Sequence, residues 1–78
     1  MAYLIYAIKS SVDNRIYVGF TDNLEKRIKE HNKGKTKSTK GFRPWFLIYN
    51  ETAETRIEAR KREKYLKSGC GKEFLKNK

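Results

Sequence analysis

A chain of 78 residues is expected to form one domain around one small core, burying about 60% of the surface its unfolded form would expose, which excludes a separate specificity domain. Nineteen Lys and Arg against nine Asp and Glu give a net charge of +10, a field that gathers polyanions, with nucleic acid the first partner class to consider. Hydrophobic residues make up only 37%, but they fall into runs and helical stripes, which excludes a disordered tail.

The first element is Ala2–Ile8, an unbroken apolar run of branched and aromatic residues, which predicts a strand covered on both faces and hence central in its sheet. Asp13-Asn14 signals a turn, and Arg15–Phe20 reads as the second arm of a hairpin. With a four-residue loop from Ser11 to Asn14, Ser10 stands opposite Arg15, Ile8 opposite Tyr17 and Tyr6 opposite Gly19. Tyr6 and Tyr17 then share one face as diagonal neighbours roughly 7 Å apart, and Gly19 leaves room beside the Tyr6 ring for a pocket floor. A two-residue loop keeps the shared face but separates the rings, and a three-residue loop disturbs the pairing.

Asp22 with Glu25 makes a capping box for a helix that runs to about Asn32 and ends at Gly34. At about 100° per residue, Leu24, Arg27, Ile28 and His31 share a narrow inward arc, while Lys26, Lys29, Glu30 and Lys33 face away. The segment Lys33–Arg43, KGKTKSTKGFR, has no periodicity and predicts a mobile basic surface loop. Pro44 then opens a third strand, Trp45–Asn50. Thr55 and Glu58 form a second capping box for a helix that runs to about Ser68 and stops at Gly69. Its inner arc holds Thr55, Ala59, Arg62, Glu63 and Leu66, with Lys61 and Lys64 outward. A short final turn or helix, Lys72–Lys76, is expected to tuck in Phe74. No internal repeat is present.

A single cysteine, Cys70, excludes an intrachain disulfide and fits a reducing compartment. Ala2–Ile8 lacks a basic leader, no stretch reaches spanning length, and neither helix sets a wide apolar face against a basic one. A cytoplasmic location and no membrane partner are therefore expected.

Taken singly, the polar residues on inward arcs have ordinary readings. Tyrosines in strands pack, Arg27 snorkels or pairs with an acid, His31 is structural, and Glu63 is solvated or paired with a basic neighbour. Their order is more specific than any one of them. Leu4-Ile5-Tyr6, then Tyr17-Val18-Gly19, then GFTDNLEKRIKEHN with Arg27 eight positions after Gly19, and finally EARKREKYLKSG with Glu63 together resemble the GIY-YIG nuclease family across nearly the whole chain. The likeness is to small single-domain bacterial members related to the nuclease module of nucleotide-excision repair. Leu4 stands where the family's first motif has glycine, and no residue takes the place of the asparagine that larger members carry after the acidic helix.

The resemblance implies an α+β fold in which a three-stranded antiparallel sheet, first strand central, is flanked by helices. It implies an endonuclease that uses Mg²⁺ or Mn²⁺ to hydrolyse DNA phosphodiester bonds with little sequence preference, in repair or recombination. Glu63 is then the metal ligand, Arg27 contacts the scissile phosphate, Tyr6 and Tyr17 handle the attacking water, His31 assists proton transfer, and Gly19 is a structural residue of the motif. One carboxylate suffices for an ion that keeps most of its waters, and a forked guanidinium suits a phosphate. A phenol, with its reference pKa near 10, must be lowered before it serves as a base at neutral pH. Lys33, Lys35, Lys37, Lys40, Arg43 and Lys64 are expected to contact nucleic-acid phosphates, with Lys9, Lys61 and Lys72 as additions, giving affinity without base preference. DNA structure or a protein partner then selects the target. The competing readings are a non-catalytic DNA- or RNA-binding module on the same fold and a protein-interaction adaptor that uses the basic surface.

Overall fold

The most apolar run of the sequence forms the strand that is paired on both edges. In the computed structural model, which describes residues 2–37 and 39–78, β1 (Tyr3–Ser10) lies between β2 (Ile16–Thr21) and β3 (Trp45–Ala53) in an antiparallel sheet of order β2-β1-β3. The β1–β2 loop is the four-residue one. Ser10 N–H donates to Arg15 O at 2.9 Å and Asn14 N–H to Ser10 O at 3.1 Å, with Asn14 at φ 64°, a conformation that asparagine tolerates better than most residues. That loop sets Ile8 opposite Tyr17 and Tyr6 opposite Gly19.

Alternation along β1 sends successive side chains to opposite faces, and each face has its own cover. Tyr6, Ile8 and Trp45 pack with Tyr17, Leu24, Ile28 and Phe42 under α1 (Leu24–Lys33). Ile5, Ala7 and Val18 pack on the other face with Ala59 and Leu66 of α2 (Arg56–Lys67) and Leu75 of α3 (Gly69–Lys76). A bulge in β3 lets that strand serve both. Leu47 pairs with Ile8 and Tyr49 with Ala7, so the extra residue Ile48 switches the strand's parity. Trp45 thereby reaches the Tyr6 face while Tyr49 and Ala53 reach the other.

Several boundaries differ from those the sequence predicts. The α1 cap is Asn23, whose side chain accepts from Lys26 N–H at 3.2 Å, and not Asp22. Thr21 Oγ1 accepts from Asn23 N–H at 3.1 Å and holds Asn23 extended, which delays helix entry by one residue. At the other end Gly34, at φ 82°, sends its N–H to the Glu30 and His31 carbonyls, the left-handed closure that glycine adopts without cost. β3 continues past Asn50 because pairing with β1 continues to Tyr3 opposite Ala53. The last helix begins at Gly69, with Ser68 as its cap, and it buries Leu75, not Phe74, which is 38% exposed and sets its edge against Tyr49.

The basic segment Lys33–Arg43 is the largest departure. It is not a free surface loop: it makes a 3-10 turn at Lys40–Phe42, and Thr39 is completely buried. Ser38 lies outside the described residues. Among the described residues no helix is long and apolar enough to cross a membrane.

Candidate active site

The hairpin register brings Tyr6 against a residue without a side chain. A Cβ on Gly19 would lie 2.7 Å from Tyr6 Oη, so glycine is the residue that lets the phenol take this position. Tyr17 stands beside it, with ring centroids 6.4 Å apart, close to the separation expected of diagonal neighbours.

From above, one turn of α1 supplies Arg27 and His31, which are four residues apart and therefore on one side of the helix. His31 Nε2 is 3.0 Å from Tyr6 Oη, and Arg27 Nε donates to the same oxygen at 3.4 Å. The His31 ring also meets the Tyr17 ring edge to face at 4.9 Å. Arg27 keeps Nη1 on Glu30 at 3.4 Å and is partly open to solvent. Burial works against its charge, but the bonds to Tyr6 and Glu30 outweigh it and raise its pKa, so the guanidinium is a fixed cation at the mouth of the site.

Thr39, which carries no signal in the sequence, holds the far side of the imidazole. Its Oγ1 is 2.8 Å from His31 Nδ1 and donates its own proton to Thr36 O at 3.3 Å. The hydroxyl proton is thereby used, which assigns Nδ1–H as donor to Thr39 and leaves Nε2 as an acceptor for the Tyr6 hydroxyl. Trp45 Nε1 donates to Thr39 O at 2.8 Å and Ser10 Oγ to Phe42 O at 2.7 Å, while Asn32 Oδ1 accepts from Trp45 N–H at 2.7 Å. The first two of these bonds fasten the basic segment onto the sheet, and the third ties α1 to β3. No buried side-chain polar atom lacks a partner among the described residues, so the polar core costs no unsatisfied group.

The electrostatics follow from burial. His31 is completely buried, and desolvation, helped by the positive charge of Arg27, pushes it down to about 4; it is a neutral imidazole at pH 7. Burial also raises the Tyr6 phenol, against the hydrogen bond from Arg27, and the negative charge of Glu63 adds to the rise. The cations do not make Tyr6 a ready phenolate. It is a neutral phenol between a donor and an acceptor.

The structure does not bring Glu63 into contact with this group. It projects from α2 between Ala59 and Leu66, both fully buried, keeps its carboxylate partly exposed, and has Lys67 as its ion-pair partner at 3.6 Å. Its charge reaches Tyr6, but it makes no hydrogen bond to Tyr6, Arg27 or His31 among the described residues. The remaining candidate cations make no contact with Tyr6, His31 or Arg27 among the described residues. Lys33, Lys35, Lys37, Lys40, Arg43 and Lys64 are all exposed, and apart from Arg43 Nε donating to Lys40 O at 2.8 Å their head groups have no ion-pair partner among the described residues.

The profile of the GIY-YIG catalytic domain matches residues 2–77. The chain belongs to the GIY-YIG nuclease family. Among its GIY-YIG relatives, the UPF0213 protein CPE1444 of Clostridium perfringens is 47% identical over 64 residues, covering 81% of this chain and 68% of the relative. The UPF0213 protein SH2523 of Staphylococcus haemolyticus is 40% identical over 75 residues, covering 95% and 90%. The solution NMR structure of the UPF0213 protein BH0048 from Bacillus halodurans superposes with a TM-score of 0.59 at 31% identity, over 99% of this chain and 84% of that one. The GIY-YIG architecture of a three-stranded antiparallel sheet with the first strand central is therefore shared with an experimental structure of similar sequence.

Proposed function

We propose that this GIY-YIG chain is a metal-dependent endonuclease that hydrolyses phosphodiester bonds in DNA, selecting its target by DNA structure or through a partner rather than by sequence. The observation that carries the reading is the Tyr6 hydroxyl held between Arg27 Nε and His31 Nε2. A neutral phenol that donates to a neutral imidazole is a proton relay. As water attacks phosphorus and the bond from phosphorus to the leaving oxygen breaks, the water proton passes to Tyr6 Oη while the Tyr6 proton passes to His31 Nε2, so no free phenolate has to form; the leaving oxygen takes its proton from solvent. Arg27 hydrogen-bonds the phosphate and neutralises charge gained in the transition state. The arriving phosphate offsets the positive charge that helps depress His31, and so makes the imidazole a better acceptor when substrate is bound. Tyr17 packs against His31 and orients it.

The donor set fits a hydrated Mg²⁺ or Mn²⁺. Among the described residues no three His, Cys, Asp or Glu side chains gather, which is short of what a structural zinc needs, whereas Mg²⁺ is commonly held by one or two carboxylates with waters and substrate phosphate. Glu63 is the residue that would hold it, and the ion when bound stabilises the leaving oxygen. The exposed cations of Lys33–Arg43, with Lys64, supply phosphate contacts, and repair or recombination in the cytoplasm is the setting we assign.

The test is incubation of wild type, Tyr6→Phe, Arg27→Ala and Glu63→Ala with branched, nicked and duplex DNA, in Mg²⁺ or in chelator. Metal-dependent cuts that vanish in all three variants support the enzyme. Binding that survives every substitution without any cutting supports a DNA- or RNA-binding module on the same fold instead.

A further inference from the structure

Glu30 stands where the helix alone does not account for an acid. Helical spacing puts it off the inward arc, yet its side chain is only 28% exposed, against 83% for Glu25 on the same helix, and it reaches back to Arg27. The Glu25–Lys29 pair runs acid first and base four residues on, the orientation that complements the helix dipole. The Arg27–Glu30 pair runs the other way and leaves a carboxylate in the last turn of α1, where negative charge is disfavoured. The same carboxylate lies beside the cation that is to receive a phosphate, so it also repels the ligand. Helix stability and affinity for a polyanion both work against an acid at this position.

Its effect is on the guanidinium. Arg27 is held at two nitrogens by groups on different elements: Nε donates to Tyr6 Oη of β1 and Nη1 to Glu30 Oε1 of α1, each at 3.4 Å. Nη2 has no hydrogen-bond partner among the described residues. A planar fork held by one bond swings about it, whereas bonds at two separate nitrogens fix its plane. Both bonds are longer than the roughly 2.7–2.9 Å of a fully engaged charge-assisted pair, so the group is oriented without its charge being spent.

We propose that Glu30 is a positioning residue of the candidate site: with Tyr6 it fixes the Arg27 guanidinium at two points so that Nη2 is presented to the scissile phosphate, a role that rests on the phosphate contact proposed for Arg27. Glu30 touches neither phosphate nor attacking water and acts only through Arg27. Its charge lowers the affinity for DNA while its bond raises the rate of a bound molecule. Binding and cleavage therefore move in opposite directions when it is removed, which an acid that merely stabilised α1 would not produce.

The experiment compares wild type with Glu30→Ala, Glu30→Gln and Glu25→Ala, a control that removes the same charge from the same helix away from Arg27; thermal melts verify that each variant is folded. Three quantities are read: the Arg27 Nε–H NMR signal of the metal-free chain, the affinity for a labelled branched DNA, and its single-turnover cleavage at saturation in Mg²⁺. In Glu30→Ala the expected result is an Nε–H signal broadened or lost to solvent exchange, a rate lower by about 10–10²-fold, and an affinity equal to wild type or up to about fivefold tighter. Glu30→Gln, whose amide oxygen still accepts from Nη1, should fall between wild type and alanine in signal and rate. Glu25→Ala should keep the wild-type signal and rate. An unchanged Arg27 signal in Glu30→Ala, or a rate no lower than that of the Glu25→Ala control, overturns the assignment. A wild type that cuts nothing removes the hydrolytic reading; in that case a signal lost in Glu30→Ala keeps Glu30 as the residue that holds Arg27 for a bound phosphate, and a signal retained overturns it.

Discussion

The two faces of the sheet are built from alternate residues of one strand, yet they differ in kind. Ile5 and Ala7 look onto a core of aliphatic residues under α2 and α3, where a methyl group has no job beyond filling space. Tyr6 and Ser10 look onto a core that buries His31 and Thr39 as completely as the leucines opposite. Burying the side chains of Ser10, His31 and Thr39 with a phenol is tolerated because every one of them is bonded, and each bond fixes a direction as well as an energy. The aliphatic face holds the sheet together; the polar face spends its packing on orienting one hydroxyl.

That contrast can be broken by crossing two substitutions. Leu66→Ala, on the aliphatic face, is expected to cost about 2–5 kcal/mol of stability in denaturant melts, with cleavage per folded molecule unchanged. Arg27→Ala, on the polar face, is expected to lower the cleavage rate about 10²–10³-fold with a small change in the melt. Equal losses of both quantities in both variants would erase the distinction between the faces.

Acid sharpens the same comparison. The folded-state pKa of His31, about 4, lies below the reference value near 6.5, so between these values the unfolded chain binds more protons than the folded one. Stability due to the neutral imidazole is complete above pH 6.5 and is lost as pH falls toward 4, by on the order of 3 kcal/mol. Denaturant titrations of wild type and His31→Gln between pH 4 and 7 should therefore converge as pH falls, and parallel curves would mean that the imidazole is not desolvated.

Thr39 gives a smaller and more selective effect. Thr39→Val leaves the His31 Nδ1–H without an acceptor and is expected to cost about 1–3 kcal/mol, whereas Thr39→Ser keeps the hydroxyl and should retain most of the stability. If valine and serine behave alike, the tautomer drawn for His31 is wrong. The smallest effects belong to the exposed cations. Removing one, as in Lys37→Ala, should weaken DNA binding slightly on every sequence and reduce the slope of log K against log salt by about 0.9 if that lysine meets a phosphate; an unchanged slope removes Lys37 from the interface.

Much of the site was legible because it rests on periodicities. A four-residue loop set Tyr6 opposite Gly19, and the helical repeat placed Arg27 and His31 on one arc; both hold in the structure, as does the central position of β1. The cap at Asn23 was not legible because Asp22 and Asn23 are both good caps, and the choice was made by Thr21. Phe74 looked like the natural core residue of the last helix, but the helix starts at Gly69 and its phase turns Leu75 inward. Thr39 was hidden for a different reason. It sits among lysines with no repeat, and its burial depends on His31 and Trp45, partners distant enough in sequence that no local pattern names them. The pKa of Tyr6 was likewise out of reach, since its direction is set by how deeply the ring is buried and not by the cations near it.

The central claim is that Tyr6 Oη carries the proton of the attacking water to His31. Single-turnover cleavage of a labelled branched DNA in Mg²⁺, comparing wild type with Tyr6→Phe at equal bound fraction, tests it most directly. The account predicts a rate lower by about 10²–10⁴-fold in the variant with DNA affinity retained; a phenylalanine variant that cuts as fast as wild type would contradict it.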